Sequence, residues 1–254
     1  MGRGAHRARG FPPRWWWRRW FRRRRSWLVQ YREGRGCAPR PWREGLVRIA
    51  IISDVHSNLV ALDAVLADAE GRGADAIWNL GDTVGYGPDP NGVVARLAEA
   101  GAVSVLGNHD AAAAGRIGTE LFNWLAAEAA EWTREHLEPE TAAYLDELNE
   151  VVREGEWSLV HGTLREPIWE YLITEEAAEG HFARQETPYS AVGHTHVPLR
   201  VRRGLRGVEG STPVEGRRWR WERGRCASIR GRWGSRGTAI HGPRTRSWTA
   251  RRGP

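Results

Sequence analysis

The stretch IAIISDVHSN at residues 49–58 decides the fold, because an apolar run ends there in an aspartate and a histidine. A short apolar run of this kind predicts a buried strand. Asp54 and His56 are two residues apart, which places both side chains on the same side of the chain. Both residues follow the carboxyl end of the predicted strand, and in open α/β sheets ligands bind at the edge formed by these ends. An aspartate oxygen with a histidine nitrogen suits a divalent metal. Taken alone, the motif fits a satisfied turn equally well.

Two further predicted strands end in the same kind of side chain. The run at 75–80 ends at Asp82, and the run at 102–106 ends in the sequence GNHD at 107–110. Apolar residues at helical spacing separate the three runs, which predicts βαβ units with parallel strands. Three such endings at one sheet edge predict a site, whereas one alone is a coincidence.

The second half of the predicted domain repeats the pattern. A strand at 157–160 ends in His161, and a strand at 189–192 ends in the sequence GHTH at 193–196, with a helix at 175–184 between them. Residues 116–150 predict a helical insertion, whose apolar side chains we expect to pack in the core: Leu121, Phe122, Leu125, Ala129, Trp132, Tyr144, Leu145 and Leu148. Five of the nine histidines lie at strand ends, and we interpret the others as solvated: His6, His136, His181 and His241.

The five endings Asp-x-His, Gly-Asp, Gly-Asn-His-Asp, His-Gly and Gly-His-x-His, in this order, resemble those of the calcineurin-like metallophosphoesterase superfamily. The resemblance covers residues 47 to about 199, and the loop at 85–91 looks most like the small bacterial and archaeal phosphodiesterase branch. It implies an α/β fold, a two-sheet sandwich of the metallo-dependent phosphatase type. Such a sandwich has four layers, with helices on the outer faces.

The resemblance also implies two divalent metal ions and hydrolysis of phosphoesters. Two cations clamp the attacking and leaving oxygens and activate water as hydroxide, so no covalent intermediate forms. Imidazole ligands favour manganese, iron, zinc or nickel over magnesium or calcium; manganese is our first choice, and we expect no further cofactor. His109 and Asp82 are the expected catalytic residues, with His109 stabilising or protonating the leaving oxygen. The implied ligands are Asp54, His56 and His196 for the first ion, Asn108, His161 and His194 for the second, and Asp82 as the bridge.

Charge is distributed unevenly along the 254 residues and predicts three segments. The net charge is +12 over residues 1–46, −18 over 47–199 and +13 over 200–254. We expect a metallophosphoesterase domain at 47–199, between a disordered or non-native extension and a disordered tail. Cys37 and Cys226 both lie outside the domain, which fits a reducing, cytoplasmic location. The sequence contains no apolar run of about 18 residues, so we expect no membrane span or membrane partner.

The two Arg-rich ends have a second interpretation as products of sequence annotation. Val47 is compatible with a GTG start codon, which would place the true start after residue 46. From Ser228 to Arg246, joining the last base of each codon to the first two of the next permits the reading NPGSVGQPRDGDPRASYA. That string resembles the tail of the superfamily, so we hypothesise a one-base shift between about residue 199 and residue 227. The masses of peptides made from the native gene distinguish this shift from a genuine tail.

Two rival functions stay open at this point. Relatives with this fold also serve as non-catalytic scaffolds, but such relatives lose metal ligands. Arginine interleaved with tryptophan at residues 14–25 would suit single-stranded nucleic acid, and loss of binding on trimming to 47–199 would support that function. We favour a phosphorylated small molecule or nucleotide as substrate over a nucleic-acid partner. The sequence leaves open the choice between monoester and diester and the oligomeric state.

Overall fold

The computed structural model describes residues 47–204, 207–211, 226–227 and 247–250. The extension at 1–46 lies outside the described residues, as does most of 200–254, so the predictions made for them stay predictions. The helices are α1 Leu59–Gly71, α2 Pro90–Glu99, α3 Asn108–Ala113, α4 Trp124–His136, α5 Pro139–Asp146 and α6 Glu175–Arg184. The strands are β1 Val47–Ile52, β2 Ala76–Asn79, β3 Val103–Ser104, β4 Val151–Glu154, β5 Trp157–Val160, β6 Tyr189–Val192, β7 Arg200–Gly204, β8 Gly207–Ser211, β9 Cys226–Ala227 and β10 Ser247–Ala250.

The strands form two sheets. The first has the order β10-β1-β2-β3, in which β1, β2 and β3 are parallel as the sequence predicts. The second has the order β4-β5-β6-β9-β7-β8, with β5 and β6 parallel and β4 antiparallel to β5. The carboxyl ends of five parallel strands therefore carry the predicted site residues, three from one sheet and two from the other.

Three apolar clusters stack these sheets and helices in four layers. Side chains of β2 and β5, including Trp78 and Leu159, pack between the sheets. On the outer side of the first sheet, Ile52 packs against α1 and α2. On the outer side of the second, Val192 packs against α6. The predicted α/β sandwich with helices on its outer faces is thus the observed architecture.

The helical insertion departs from the prediction in the way it packs. Leu121, Leu125 and Trp132 are 76%, 53% and 41% exposed, so the prediction that they fill the core is wrong. The buried residues of α4 are the small ones, Ala126, Ala130 and Thr133. Small side chains allow a close approach to a neighbouring element, and the larger ones are left on the outer face. The predicted core positions Tyr144, Leu145 and Leu148 of the same insertion are buried.

Within residues 47–199, the sequence analysis also missed two elements. Helix α3 begins within the GNHD motif, and β4 pairs with β5 as a hairpin that carries no turn signal strong enough to predict it. Beyond Leu199, β7 and β8 pair antiparallel with each other. None of the helices in the described part of the chain combines the length and hydropathy needed to cross a bilayer.

His181 is fully buried, and its interpretation as a solvated side chain is wrong. Its Nδ1 accepts the backbone N–H of Leu164 at 3.1 Å, so the proton lies on Nε2, which donates to Ser190 Oγ at 2.8 Å. Burial lowers the pKa of His181 to about 4. The side chain therefore joins α6 to β6 and to the loop after His161 as a neutral imidazole.

Replacing His181 with leucine should lower the free energy of unfolding by about 2 kcal/mol at pH 7.5, because Leu164 loses its acceptor in a buried position. The unfolded chain binds a proton at His181 near pH 6.5, whereas the folded chain does so only near pH 4. This contribution to stability is complete above pH 6.5 and is lost as the pH falls toward 4. Between pH 7.5 and 5 the wild type should therefore lose about 2 kcal/mol more than the variant, measured by urea unfolding.

The matched variant is His181→Asn, whose Oδ1 takes the place of the acceptor nitrogen but does not titrate. It should lose less stability than the leucine variant and show the same reduced pH dependence. Equal pH dependence in all three proteins would refute the assignment.

Candidate metal centre

The predicted site residues lie on five loops that follow β1, β2, β3, β5 and β6. Five of these residues adopt left-handed backbone conformations, with φ between 49° and 62°: Asp54, His56, Asp82, His194 and His196. Such conformations cost of order 1 kcal/mol or more for a residue other than glycine and persist where the surroundings enforce them. The backbone here is held in place to aim these side chains.

Backbone hydrogen bonds hold the first two loops side by side. The N–H groups of Asp54, His56 and Ser57 donate to the carbonyl oxygens of Gly81, Asp82 and Thr83, each at 3.0 Å. The parallel ladder of β1 and β2 thus extends past the ends of the strands. Asp54 and Asp82 are brought to the same edge, where both are buried.

His161 and His194 each point one ring nitrogen at the other. His161 Nδ1 donates to the carbonyl oxygen of Leu80 at 2.7 Å, and His194 Nε2 donates to that of Trp169 at 3.1 Å. The remaining nitrogens, His161 Nε2 and His194 Nδ1, lie 3.0 Å apart. His161 Nε2 also lies 3.2 Å from Asn108 Oδ1. In each imidazole a backbone carbonyl holds one ring nitrogen, so the other nitrogen faces inward beside the amide oxygen of Asn108, as in metal-binding histidines.

A second convergence involves Asp54, His56 and His196. His56 Nδ1 donates to the carbonyl oxygen of Val84 at 3.1 Å, and its buried Nε2 has no hydrogen-bond partner among the described residues. His196 Nε2 lies 3.2 Å from Asp54 Oδ1 and, against the effect of burial, helps to lower the pKa of that carboxyl. Within the described part of the chain, neither oxygen of Asp54 receives a hydrogen bond of normal geometry. Buried acceptors in this state require a cation or a proton.

Asp82 lies between the two convergences. Its Oδ2 is 3.3 Å from His161 Nε2 and 3.8 Å from His56 Nε2. Its Oδ1 accepts the backbone N–H of His109 at 2.9 Å, which fixes the carboxylate. Burial would raise the pKa of Asp82, but the imidazoles, His161 foremost, hold it well below its usual range. An ionised carboxylate thus faces both groups of nitrogens.

The electrostatics of the cage favour bound positive charge. Burial disfavours a charged His161, yet the carboxylate of Asp82 outweighs it and raises the pKa of that imidazole to about 9. Burial lowers the pKa of His109 and that of His194 to about 4, so both are neutral near pH 7. Neutral imidazoles and ionised carboxylates are the forms that bind metal. The donor set therefore fits divalent cations.

The structure brings all the predicted site residues together. Three groups have ligand atoms within 4.8 Å of one another: Asp54, His56 and His196; His56, Asp82 and His109; and Asp82, His161 and His194. The first group is the predicted ligand set of one ion. The third contains His161 and His194 of the other set, and Asn108 lies beside it. Asp82 belongs to the second and third groups. We call the seven predicted ligands the cage. His109, predicted as a catalytic residue, lies against it.

Two neighbours of the cage have roles that the sequence left open. Asp110 is buried, and its oxygens accept the N–H groups of Val84 at 3.0 Å and Gly107 at 3.1 Å. It therefore ties the second loop to the start of α3 as a capping residue. Arg165, four residues after His161 in the sequence, forms ion pairs with Glu170 and Glu176, so its guanidinium is already paired with carboxylates.

Four aromatic residues around the cage were not predicted as site residues, and one of them, Phe122, was expected in the core but is only half-buried. We call them the aromatic rim: Tyr86, Phe122, Trp169 and Tyr171. The one available signal was Tyr86, which stands between two glycines in the loop at 85–91. The other three lie far from any metal motif, so their position depends on the folding of two separate loops.

Comparisons with known proteins agree with this geometry. A family model described as the calcineurin-like phosphoesterase superfamily domain matches residues 47–213. An uncharacterized protein of Methanocaldococcus jannaschii is 38% identical over 156 residues, which is 59% of this chain and 63% of that protein. The chain thus matches less than two thirds of the length of that curated relative.

Two solved structures show the same fold. The crystal structure of a metallophosphoesterase from Sphaerobacter thermophilus has 44% sequence identity and a TM-score of 0.63, over 72% of this chain and 75% of that one. A hypothetical protein from Pyrococcus horikoshii OT3 has 20% identity and a TM-score of 0.53, over 64% of this chain and 74% of that one. The second similarity concerns the fold alone.

Close approach at Gly107 provides a test of the cage. A Cβ atom there would lie 2.2 Å from both the nitrogen and Oδ1 of Asp82, although the φ of −96° at Gly107 suits any residue. Gly107→Ala should displace the carboxylate of Asp82 and lower the affinity for Mn²⁺ at least about tenfold in a calorimetric titration. Losses of this size are typical when the groups that position metal ligands are disturbed.

The matched control is Gly71→Ala at the end of α1, where a Cβ would meet no atom within 4 Å. It should leave metal affinity unchanged. Full Mn²⁺ affinity in folded Gly107→Ala protein would show that Asp82 does not contribute a ligand.

Proposed function

The chain belongs to the calcineurin-like phosphoesterase superfamily, and from that membership we propose that it hydrolyses phosphoester bonds with two divalent metal ions held in the cage. The observation that carries the proposal is the convergence of His161 Nε2, His194 Nδ1 and Asn108 Oδ1 beside the ionised carboxylate of Asp82. Each of these groups is an acceptor, and none has a proton to offer the others unless His161 is charged. The pKa of His161 is raised to about 9, so this set already attracts one positive charge, which supports the binding of a metal cation in place of that proton.

The proposal assigns each cation its own residues. Asp54, His56 and His196 would hold one ion, and Asn108, His161 and His194 the other, with Asp82 shared. Manganese is the favoured metal, with iron, zinc or nickel as alternatives, because four imidazoles beside two carboxylates suit these ions better than magnesium or calcium. Bound cations of this kind would supply Lewis-acid chemistry, since they neutralise phosphate charge and lower the pKa of water to about 7.

The neutral ligands determine the net charge presented to the substrate. Only Asp54 and Asp82 contribute negative charge, so the loaded cage keeps a surplus of two positive charges. A phosphodiester carries one negative charge and a phosphomonoester up to two, so either anion would offset part or all of that surplus. Carboxylates in place of Asn108 or of the imidazoles would cancel it and weaken binding of the anion.

His109 is placed to assist departure of the leaving group. It lies against His56, with ring centroids 5.0 Å apart, and its backbone N–H already holds Asp82. Burial lowers the pKa of its side chain to about 4, so the imidazole is neutral at physiological pH. We therefore assign it hydrogen-bond donation to the leaving oxygen in preference to full protonation.

The non-catalytic alternative gains no support from the described residues. A scaffold has no need for imidazole tautomers fixed by backbone carbonyls, and all seven predicted ligands are present. The nucleic-acid alternative rests on the Arg-rich ends, which lie outside the described residues.

Asp82→Asn should reduce kcat/KM for p-nitrophenyl mono- and diesters, assayed with Mn²⁺, by at least about 100-fold. An amide cannot supply the charge shared between the two ligand groups. Because Asp82 and asparagine have nearly the same shape, circular dichroism should show that the fold is retained.

The matched control is Asp63→Asn on the surface of α1, which breaks the ion pair with Arg96 and should leave the rate unchanged. A rate for Asp82→Asn within a few-fold of wild type would exclude the proposed mechanism. No turnover of any ester by the metal-loaded wild type would exclude the function itself.

His109→Gln should affect esters according to their leaving groups. Alkyl esters need a hydrogen bond to the departing oxygen more than p-nitrophenyl esters do, so their kcat should fall further, by about tenfold or more. Steady-state rates on a series of leaving groups measure this. Equal losses across the series would assign His109 a purely structural part in the cage.

A further inference from the structure

The aromatic rim gives the cage a neutral, planar border that hydrolysis alone does not explain. Tyr86 is 45% exposed, and its ring meets those of His56 and His109 at centroid distances of 4.9 and 4.6 Å. Its φ of 58° places it in the left-handed region, between Gly85 and Gly87. A strained backbone that presents a large, half-exposed ring beside reactive groups is typical of a binding residue.

Phe122 and Trp169 continue the border on the side of His109. Phe122 packs edge-on against His109 at 5.0 Å and against Trp169 at 5.1 Å. Phe122 comes from the loop before α4, whereas Trp169 comes from the loop after β5. This contact therefore joins loops that belong to the two different sheets, and it closes the border around the proposed leaving-group side.

Tyr171 lies on the His194 side of the cage. Its ring stacks on that imidazole with centroids 3.8 Å apart and planes at 21°, yet the residue is 50% exposed. One face of the ring is covered by the imidazole, so the exposed area includes the opposite face. Tyr171 is thus a flat apolar surface next to a predicted metal ligand and open to solvent.

The charges nearby favour a neutral partner for this surface. Tyr86 and Tyr171 present phenol rings and hydroxyl groups, which carry no formal charge. The guanidinium of Arg165, in the loop that carries Tyr171, is engaged by Glu170 and Glu176. Among the described residues named here, a second phosphate or an acidic peptide would therefore meet hydroxyls, hydrocarbon and a guanidinium that is already paired.

We infer that Tyr171, with Tyr86 and Phe122, binds a planar aromatic ring carried by the ester group of the substrate. This inference rests on the proposed function, because the phosphoryl group must occupy the cage for its ester group to reach the rim. Ring-on-ring stacking adds affinity through dispersion and quadrupole contacts that an aliphatic group cannot make. A nucleobase and a simple aryl group share this chemistry.

The test compares phosphonates, which bind without being hydrolysed. Calorimetric titration of the full-length, Mn²⁺-loaded protein with phenylphosphonate and methylphosphonate should show a preference for the phenyl compound of about tenfold, as expected for stacking on an aromatic side chain. Tyr171→Leu should reduce this preference to less than about threefold, and Tyr171→Phe should retain it. A second pair, a nucleoside 5′-phosphonate and ribose 5-phosphonate, distinguishes a nucleobase from a directly attached aryl group.

The matched control is Trp132→Leu, which removes an aromatic side chain that is 41% exposed and contacts His136 on α4. It should leave the preference unchanged. If wild type shows no preference for the ring compound in either pair, the inference is overturned. It is also overturned if Tyr171→Leu weakens binding of both compounds of a pair equally, because Tyr171 would then only support His194. Binding of methylphosphonate without a ring preference refutes the rim alone, whereas failure of every phosphonate to bind, together with no turnover, refutes the proposed function as well.

Discussion

Two buried carboxylates, Asp54 and Asp82, set the constraint on which the rest of this structure depends. Both are ionised at the edge where the two sheets meet, and imidazoles, rather than arginine, lie opposite them. Burying an ionised carboxylate is costly unless it is paired. The second sheet supplies His161, His194 and His196 to the first sheet's carboxylates. The sandwich is therefore held together at this edge by electrostatics, as it is elsewhere by apolar packing.

The backbone of the loops that carry the cage is strained and closely packed. Left-handed residues recur at three of the five loops, and glycine stands where a Cβ would collide with the cage. At Gly193, for example, an added Cβ would lie 2.2 Å from Ser53 Oγ and 2.9 Å from the carbonyl oxygen of Leu80. That same carbonyl fixes the tautomer of His161. The loops after β1, β2 and β6 are thus packed so tightly that each determines the orientation of the others' side chains.

Sequence reasoning succeeded where a side chain's position follows from the strand that precedes it. An apolar run ends at a known edge, so Asp54, Asp82 and Asn108 were predictable, as were the α/β class and the order of its elements. It failed where contacts depend on chain segments far apart. The carbonyls of Leu80, Val84 and Trp169 have no sequence signal, because every residue has a carbonyl. The predictions for His181 and for the large side chains of α4 failed for a related reason. Helical periodicity defines an apolar stripe, but it does not define which element packs against that stripe.

The same separation of local and distant determinants bears on substrate selection. Over residues 47–199 the net charge is −18, which opposes the approach of any phosphorylated molecule. Two cations would reverse the sign of the field only within a short distance, because salt screens it over about 8 Å at physiological ionic strength. A polyanion would extend beyond that distance into the acidic surroundings, whereas a single phosphoryl group would not. A substrate whose remaining part is neutral therefore binds best. The aromatic rim, which is itself neutral, recognises that part by contact area. Charge thus selects the phosphoryl group, and shape selects the ester group.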